Sequence, residues 1–419
     1  MTTLEIKPVK EFDRVLRAPP SKAVTLRALF AASIAEGESV IRNPLLAQDQ
    51  MLAIRALRAL GASIDANENE VHVQGGATRL HGARLHAGNS GFSARMLTSL
   101  CALARGESVI DGSARLRERP VAGLARALRE LGARVEGDAF PLRVLGPSLE
   151  GGECVVEGSD SSQFLSSLLF VAPLAARDVK IRVADGLVSR PYIDLTLDCL
   201  REFGVRVKSV GAGASFFVEG QQEFEACELA VEGDYSSAAF FFVAAAVTGG
   251  RVIVEGLRGD SKQGDKAFLD FIERMGCSVK RSENAIEVVG ASELAPIDVE
   301  LSDFPDLAMP LTVAALFASG KSVLRGVEHL RLKESDRLAA LCEGISAIGG
   351  RVEVNSNSLV IEGAGSAGRN LHGALINPKN DHRIAMALSV AGLKVAGVKI
   401  NDSECVGKSF PNFFKELGA

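Results

Sequence analysis

Lys333, Glu334, Asp336 and Arg337 place four ionisable side chains within five residues, directly ahead of an apolar, helix-periodic run from Leu338 to Cys342. Ser335 or Asp336 suits the cap of such a helix, and acids in a first turn suit its positive end. The lysine and the arginine answer no need of the helix. Acids and bases set side by side can hold an anion and move a proton beside it.

Polar and basic residues of the same kind stand at other predicted helix starts. They are Lys22 and Arg27; Asn89, Gly91 and Arg95; Arg119 before Pro120; Ser161, Ser162 and Gln163; Ser189, Arg190 and Tyr192 around Pro191; Asp306; Asp381, His382 and Arg383; and Lys408. Singly, each has an ordinary explanation: a solvated charge, a serine or aspartate cap, a packed histidine. Their repetition at equivalent positions does not. A helix N-terminus offers free amides and about half a positive charge. Several of them, carrying hydroxyls and bases, make a trap for a small molecule with more than one phosphate or carboxylate.

The helices that must position these residues recur. A helix ending followed by glycine appears at Gly61, Gly132, Gly204, Gly276, Gly349 and Gly418, at spacings of 71, 72, 72, 73 and 69 residues. Each glycine is predicted to close its helix with a positive φ. Before each such helix lies a more apolar one, starting near residues 21, 89, 160, 234, 305 and 380, followed by a strand such as Glu38, Ser39, Val40, Ile41. After the first five comes a hairpin pattern, as in Ser63, Ile64, Asp65 and Val71, His72, Val73. The chain therefore reads as α/β (α+β), in six helix-strand-helix-hairpin units, too long for a common solenoid and splitting as three plus three.

A composition break at residues 227–234 places the boundary after the third unit. The sixth unit ends without its hairpin, while residues 4–16 read as extended, so the N-terminal segment is predicted to supply the last unit's missing strands. The predicted domains are residues 1–19 with 231–419, and residues 20–230 inserted between them. Two connecting strands permit hinge closure over a ligand cleft.

Composition removes other classes. A net charge of −5 argues against a nucleic-acid surface, and 47% hydrophobic with 24% charged residues is ordinary for a globular chain. The seven cysteines are widely spaced with no CxxC, which predicts reduced, packed thiols rather than disulfides or a zinc site. The first residues carry no signal-peptide pattern, and the uncharged apolar run over residues 235–250 is too short to span a bilayer, so a cytoplasmic protein without membrane contact is expected. Gly320-Lys321-Ser322 and Gly407-Lys408-Ser409 resemble the end of a P-loop, but Ala315 and Asp402 occupy its earlier glycine position. No nucleotide or metal cofactor is indicated.

In order and spacing, nine short motifs resemble those of the 5-enolpyruvylshikimate-3-phosphate (EPSP) synthase family, the 3-phosphoshikimate 1-carboxyvinyltransferases. They are Pro20-Ser21-Lys22, Gly88-Asn89-Ser90-Gly91, Arg117-Glu118-Arg119-Pro120, Ser161-Ser162-Gln163-Phe164, Arg190-Pro191-Tyr192, Pro305-Asp306, Lys333-Glu334-Ser335-Asp336-Arg337, Asn380-Asp381-His382-Arg383 and Lys408-Ser409-Phe410-Pro411. The resemblance implies a two-domain inverse α/β prism of six repeats, three per domain. It implies transfer of enolpyruvyl from phosphoenolpyruvate to the 5-hydroxyl of shikimate-3-phosphate, with release of phosphate, in aromatic amino-acid (chorismate) biosynthesis. Asp306, Glu334 and Lys22 would be catalytic, Asp306 at the 5-hydroxyl proton and the other two on the methylene and phosphate side. Lys22, Arg27, Ser161, Ser162, Gln163, Ser189, Tyr192, Asp306 and Lys333 would hold shikimate-3-phosphate. Lys22, Gly91, Arg119, Gln163, Arg337, Arg383 and Lys408 would hold phosphoenolpyruvate. The remaining expectations are a monomer, small-molecule partners only, no cofactor, and room beside Gly91 for the inhibitor glyphosate.

Four positions depart from the family pattern: Pro20 for glycine, Ala23 for serine, Phe92 for threonine and His329 for asparagine. None removes a charged group. The rival transferase family, acting on UDP-N-acetylglucosamine, carries a loop cysteine upstream of the Arg-Pro matched by Arg119 and Pro120, and here no cysteine lies between Cys101 and Cys154. A non-catalytic phosphometabolite-binding protein is the other alternative, and intact Asp306, Glu334 and Lys22 speak against it.

Overall fold

Alternating helices and short strands divide the chain into two compact units, Pro20–Val231 and Met1–Pro19 with Glu232–Ala419. The computed structural model describes residues 2–159, 161–211 and 213–419; Asp160, at one predicted helix start, lies outside them.

Three four-stranded sheets build the unit Pro20–Val231. In the first, Gly37–Arg42 pairs antiparallel with Glu70–Gly75, which pairs with Ser63–Ala66. The other edge of Gly37–Arg42 takes Glu228–Ala230 in parallel. The second sheet repeats the plan with Arg84–His86, Gly106–Asp111, Leu142–Gly146 and Arg134–Glu136, and the third with Gly152–Glu157, Val179–Ala184, Ser215–Val218 and Lys208–Val210. Helices Lys22–Ile34, Gly91–Cys101 and Ser162–Val171 are buried along almost their whole length, and apart from Lys22, Arg27, Arg95 and Gln163 their residues are apolar or small.

The other unit has two sheets of the same kind, Asp13–Arg17 with Arg251–Glu255, Ala285–Val289 and Ser278–Arg281, and Asp298–Glu300 with Lys321–Arg325, Ser358–Glu362 and Arg351–Val354. A three-stranded sheet joins Leu375–Ile376, Lys399–Ile400 and Leu4–Glu5. Its buried helices are Tyr235–Thr248, Ala308–Leu316 and His382–Gly392. Phe241 stacks on Phe12 and Phe413, and Phe242 on Phe268, which ties the N-terminal segment and the last helix into one aromatic core.

The six glycines that end the recurring helices all have φ between +79° and +114°. A side chain is disfavoured there, which explains why one residue type recurs. The N-terminal segment is a correction. Leu4–Glu5 joins the last sheet, but Asp13–Arg17 runs parallel to Arg251–Glu255 in the sheet that follows Tyr235–Thr248. The reason is an extra parallel strand at the edge of each four-stranded sheet, absent from the sequence reading. Several of these are only three residues long, such as Arg84–His86 and Asp298–Glu300, too short for a period-2 signal. Among the described residues no helix is long and apolar enough to cross a membrane.

Candidate active site

In the unit Pro20–Val231, Ser21 caps Lys22–Ile34 by accepting from the Val24 amide, leaving Lys22 at the first helical position. Lys22 Nζ lies 2.6 Å from Asp49 Oδ2, and Asp49 is 1% exposed. One turn on, Arg27 is buried and donates from Nε to Thr196 Oγ1 (3.0 Å), from Nη1 to Ala23 O (3.0 Å) and from Nη2 to Tyr192 O (2.9 Å). Its guanidinium also covers the Phe92 ring at 4.8 Å. Burial lowers its pKa to about 10, so it stays charged.

Ser90 caps Gly91–Cys101 and Ser161 caps Ser162–Val171. Arg95 bridges the two helices, donating to Gln163 Oε1 (2.5 Å) and to Pro120 O (2.7 Å). Arg119 donates to Asn89 O (3.1 Å). A Cβ on Gly91 would stand 2.6 Å from Arg119 Cζ and 2.7 Å from Arg95 Nη1, so glycine is what lets both arginines reach this helix start. Ser189 sits in a left-handed turn (φ 56°) just before Pro191–Glu202, the helix that carries Tyr192.

In the other unit, Arg337 is 1% exposed and meets three carboxylates: Asp306 at 2.8 Å, Asp381 at 2.8 Å and Glu334 at 3.0 Å. Asp306 also binds Arg383 at 3.0 Å. Burial opposes the Asp306 charge, but Arg383, Arg337 and Lys333 outweigh it and hold the carboxyl well below the usual range. Burial likewise opposes the Arg337 charge, and Asp381, Glu334 and Asp306 reverse that. Asp381 is both the cap of His382–Gly392, accepting from the Arg383 amide, and the partner of Arg337 Nε. His329 is buried, its Nε2 accepts or donates no hydrogen bond among the described residues, and burial with Lys333 and Arg337 lowers its pKa to about 3. It is a neutral imidazole beside charged neighbours. Lys408 ends the 3-10 turn Ser403–Lys408 and is 5% exposed.

The chain that carries this geometry, Lys22 with Arg27, Arg95 and Arg119 in one unit and an arginine–carboxylate knot in the other, has close relatives. The family profile described as EPSP synthase (3-phosphoshikimate 1-carboxyvinyltransferase) matches residues 6–417. The chain belongs to this family. It is 41% identical over 415 residues to the 3-phosphoshikimate 1-carboxyvinyltransferase of Methanosphaerula palustris, covering 97% of this chain and 96% of that one. Identity to the enzyme of the same name from Syntrophobacter fumaroxidans is 40% over 416 residues, covering 98% and 97%. Among solved structures, EPSP synthase from Acinetobacter baumannii superposes with a TM-score of 0.82 at 28% identity, over 100% of this chain and 98% of that chain. As a member of the EPSP synthase family, the chain is a transferase of the shikimate pathway that moves an enolpyruvyl group.

Against the EPSP synthase pattern, the predicted site residues fall into two sets, one in each unit. Gly91, Arg119 and Gln163 are gathered around Arg95, and Asp306, Glu334 and Arg383 around Arg337 or its partners. Three local expectations are corrected. Lys408 does not start a helix; it ends the turn Ser403–Lys408, and with Pro411 between them the last helix begins only at Phe413. Arg119 does not start a helix; it follows the short helix Ala114–Glu118, and the next begins at Ala122 because Pro120 forces the preceding residue out of the helical region. Of the two caps expected before Arg337, only Asp336 serves, accepting from the Ala339 amide, while Ser335 Oγ turns inward to Asp381 Oδ2 at 3.1 Å. Asp49 and Thr196 were missed. The sequence signal for Thr196 is a polar residue on the buried face of an amphipathic helix, and Asp49 reads as an ordinary acid in a helix's first turn.

Proposed function

We propose that Asp306 takes the 5-hydroxyl proton of shikimate-3-phosphate while Glu334 and Lys22 serve the methylene and phosphate of phosphoenolpyruvate. The observation that supports this most is the Asp306 carboxyl held ionised by Arg337 and Arg383. In the reaction a proton adds to C3 of phosphoenolpyruvate as the 5-oxygen bonds to C2. The C2–O bond to phosphate then breaks as a proton leaves C3, restoring the double bond. Glu334, within reach of the same Arg337, suits the C3 proton in both directions, and Lys22 suits the departing phosphate.

Arg27, Ser161, Ser162, Gln163, Ser189, Tyr192, Asp306 and Lys333, with Lys22, take shikimate-3-phosphate in this reading. Lys22, Gly91, Arg119, Gln163, Arg337, Arg383 and Lys408 take phosphoenolpyruvate, whose carboxylate and phosphate suit arginine forks. Arg27 spends three of its five N–H donors on the protein, so its share is the remaining two and its charge. Six sheets among the described residues, three in each unit, support reading the fold as a pair of inverse α/β prisms of three repeats each, with residues 20–230 inserted as a domain. The enzyme acts as a cytoplasmic monomer on small molecules. Release of phosphate from phosphoenolpyruvate, measured with and without shikimate-3-phosphate, tests the reading: dependence on shikimate-3-phosphate is expected, and dependence on UDP-N-acetylglucosamine instead overturns it.

A further inference from the structure

Asp265 has no part in the chemistry above, yet it is buried beside it. It lies in the 3-10 turn Gly264–Ala267 and is 2% exposed. Ser236 Oγ donates to its Oδ2, and its Oδ1 is buried with no hydrogen-bond donor among the described residues. Helix Tyr235–Thr248, which carries Ser236, packs on this turn, on Pro305–Leu307 and on His382–Gly392. The charged groups facing Asp265 from these elements are Asp234, Asp306 and Arg383. On its own side, Lys266 is turned to the carbonyls of Gly259 and Ser261, and Asp270 and Glu273 bind Arg281.

The turn is rigidly held. Gln263 Nε2 donates to Gly233 O (2.7 Å), the Tyr235 amide donates to Gln263 Oε1 (3.1 Å), and Ser261 Oγ donates to Glu232 Oε1 (2.9 Å). A carboxylate oxygen buried without a donor is costly, whereas a neutral carboxyl in the same place is not. Burial, then the Asp306 charge, pushes the Asp265 carboxyl up to about 7, with Arg383 and Ser236 pulling the other way. Arg383, which binds Asp306 at 3.0 Å, also acts on Asp265 through its charge.

We propose that Asp265 is a positioning residue of the transfer site: as a neutral acid it leaves Arg383 to Asp306 and to phosphoenolpyruvate, and as a carboxylate it draws Arg383 away from both. The proposal rests on the reading above that Arg383 holds phosphoenolpyruvate. Proton binding at Asp265 and phosphoenolpyruvate binding at Arg383 are then coupled, each favouring the other.

The test is the KM for phosphoenolpyruvate against pH, at saturating shikimate-3-phosphate, for the wild type, Asp265→Asn and Ser236→Ala. Asparagine imitates the neutral acid at every pH. Relative to Asp265→Asn, the wild-type KM is expected to rise roughly fivefold further between about pH 6 and about pH 8.5, the low end of ordinary coupling. Ser236→Ala removes a hydrogen bond that favours the carboxylate, so its rise moves to higher pH. Coincident wild-type and Asp265→Asn profiles overturn the proposal, as does an Asn variant whose KM is raised by one factor at all pH values. Should Asp265→Asn fail to fold, an unmoved midpoint in Ser236→Ala overturns it and an upward shift supports it. A wild-type chain with no shikimate-3-phosphate-dependent phosphate release instead defeats the functional reading, and this proposal with it.

Discussion

Arg337 Nη1 and Asp306 Oδ1 stand 2.8 Å apart with the arginine 1% exposed, and the same arginine carries Glu334 and Asp381. Three carboxylates share this one guanidinium, with Arg383 also on Asp306 and Ser335 Oγ and the Arg383 amide also on Asp381. Arg337→Ala removes their shared cation from a buried site, where loss of one partner of a buried pair costs about 3–5 kcal/mol. Urea unfolding is expected to show that loss, and Arg337→Lys, which cannot fork to two acids, is expected to recover only part of it. A variant as stable as the wild type contradicts the arrangement.

Asp306 makes the fold acid-sensitive in a defined window. Its folded pKa lies below the ordinary 3.8, because Arg383, Arg337 and Lys333 outweigh its burial. Its contribution to stability is therefore complete above about pH 5 and is lost as pH falls from there through the folded value. The stability gap between wild type and Asp306→Asn should be widest near neutrality and narrow by about 2–3 kcal/mol in strong acid. Parallel stability curves across that range would contradict the assigned shift.

Gly91 should matter through the arginines it admits. Gly91→Ala puts a methyl 2.6 Å from Arg119 Cζ and Nη2, which must swing away. The KM for phosphoenolpyruvate is expected to rise roughly tenfold, the equivalent of about 1.4 kcal/mol, with a smaller change for shikimate-3-phosphate. Equal effects on both substrates would point to general damage at the helix start.

Arg27, proposed as a ligand of shikimate-3-phosphate, is also a structural tie. It links Lys22–Ile34 to Pro191–Glu202 through Thr196 Oγ1 and Tyr192 O. Arg27→Lys keeps the charge but loses the fork, and is expected to cost about 1–3 kcal/mol of stability as well as shikimate-3-phosphate affinity. Calorimetry would separate the two, since a pure ligand role predicts an unchanged melting temperature.

Much of this was legible in the sequence for physical reasons. The glycines at 61, 132, 204, 276, 349 and 418 announce the repeated helix ends because positive φ admits few other residues. Lys22, Asp306, Arg337 and Arg383 stood out because polar residues interrupt apolar helices at their starts. The structure adds pairings that span the sequence: Lys22 with Asp49, Arg27 with Thr196, Arg337 with Asp381. No local pattern encodes such partners. The three-residue edge strands escaped for a different reason, since they hold too few residues to show a period. Ser335 was misread because a serine beside an aspartate at a helix start offers two caps, and only packing against Asp381 decides which one turns inward.

Asp306, kept ionised by Arg337 and Arg383, is proposed to take the 5-hydroxyl proton. Shikimate-3-phosphate-dependent release of phosphate from phosphoenolpyruvate by Asp306→Asn, beside the wild type at pH 7 and with folding checked by melting, tests it most directly. The expected result is a fall in kcat of roughly 10²–10⁴-fold, the usual worth of a positioned general base, with the fold retained. Wild-type turnover in the folded variant would contradict it.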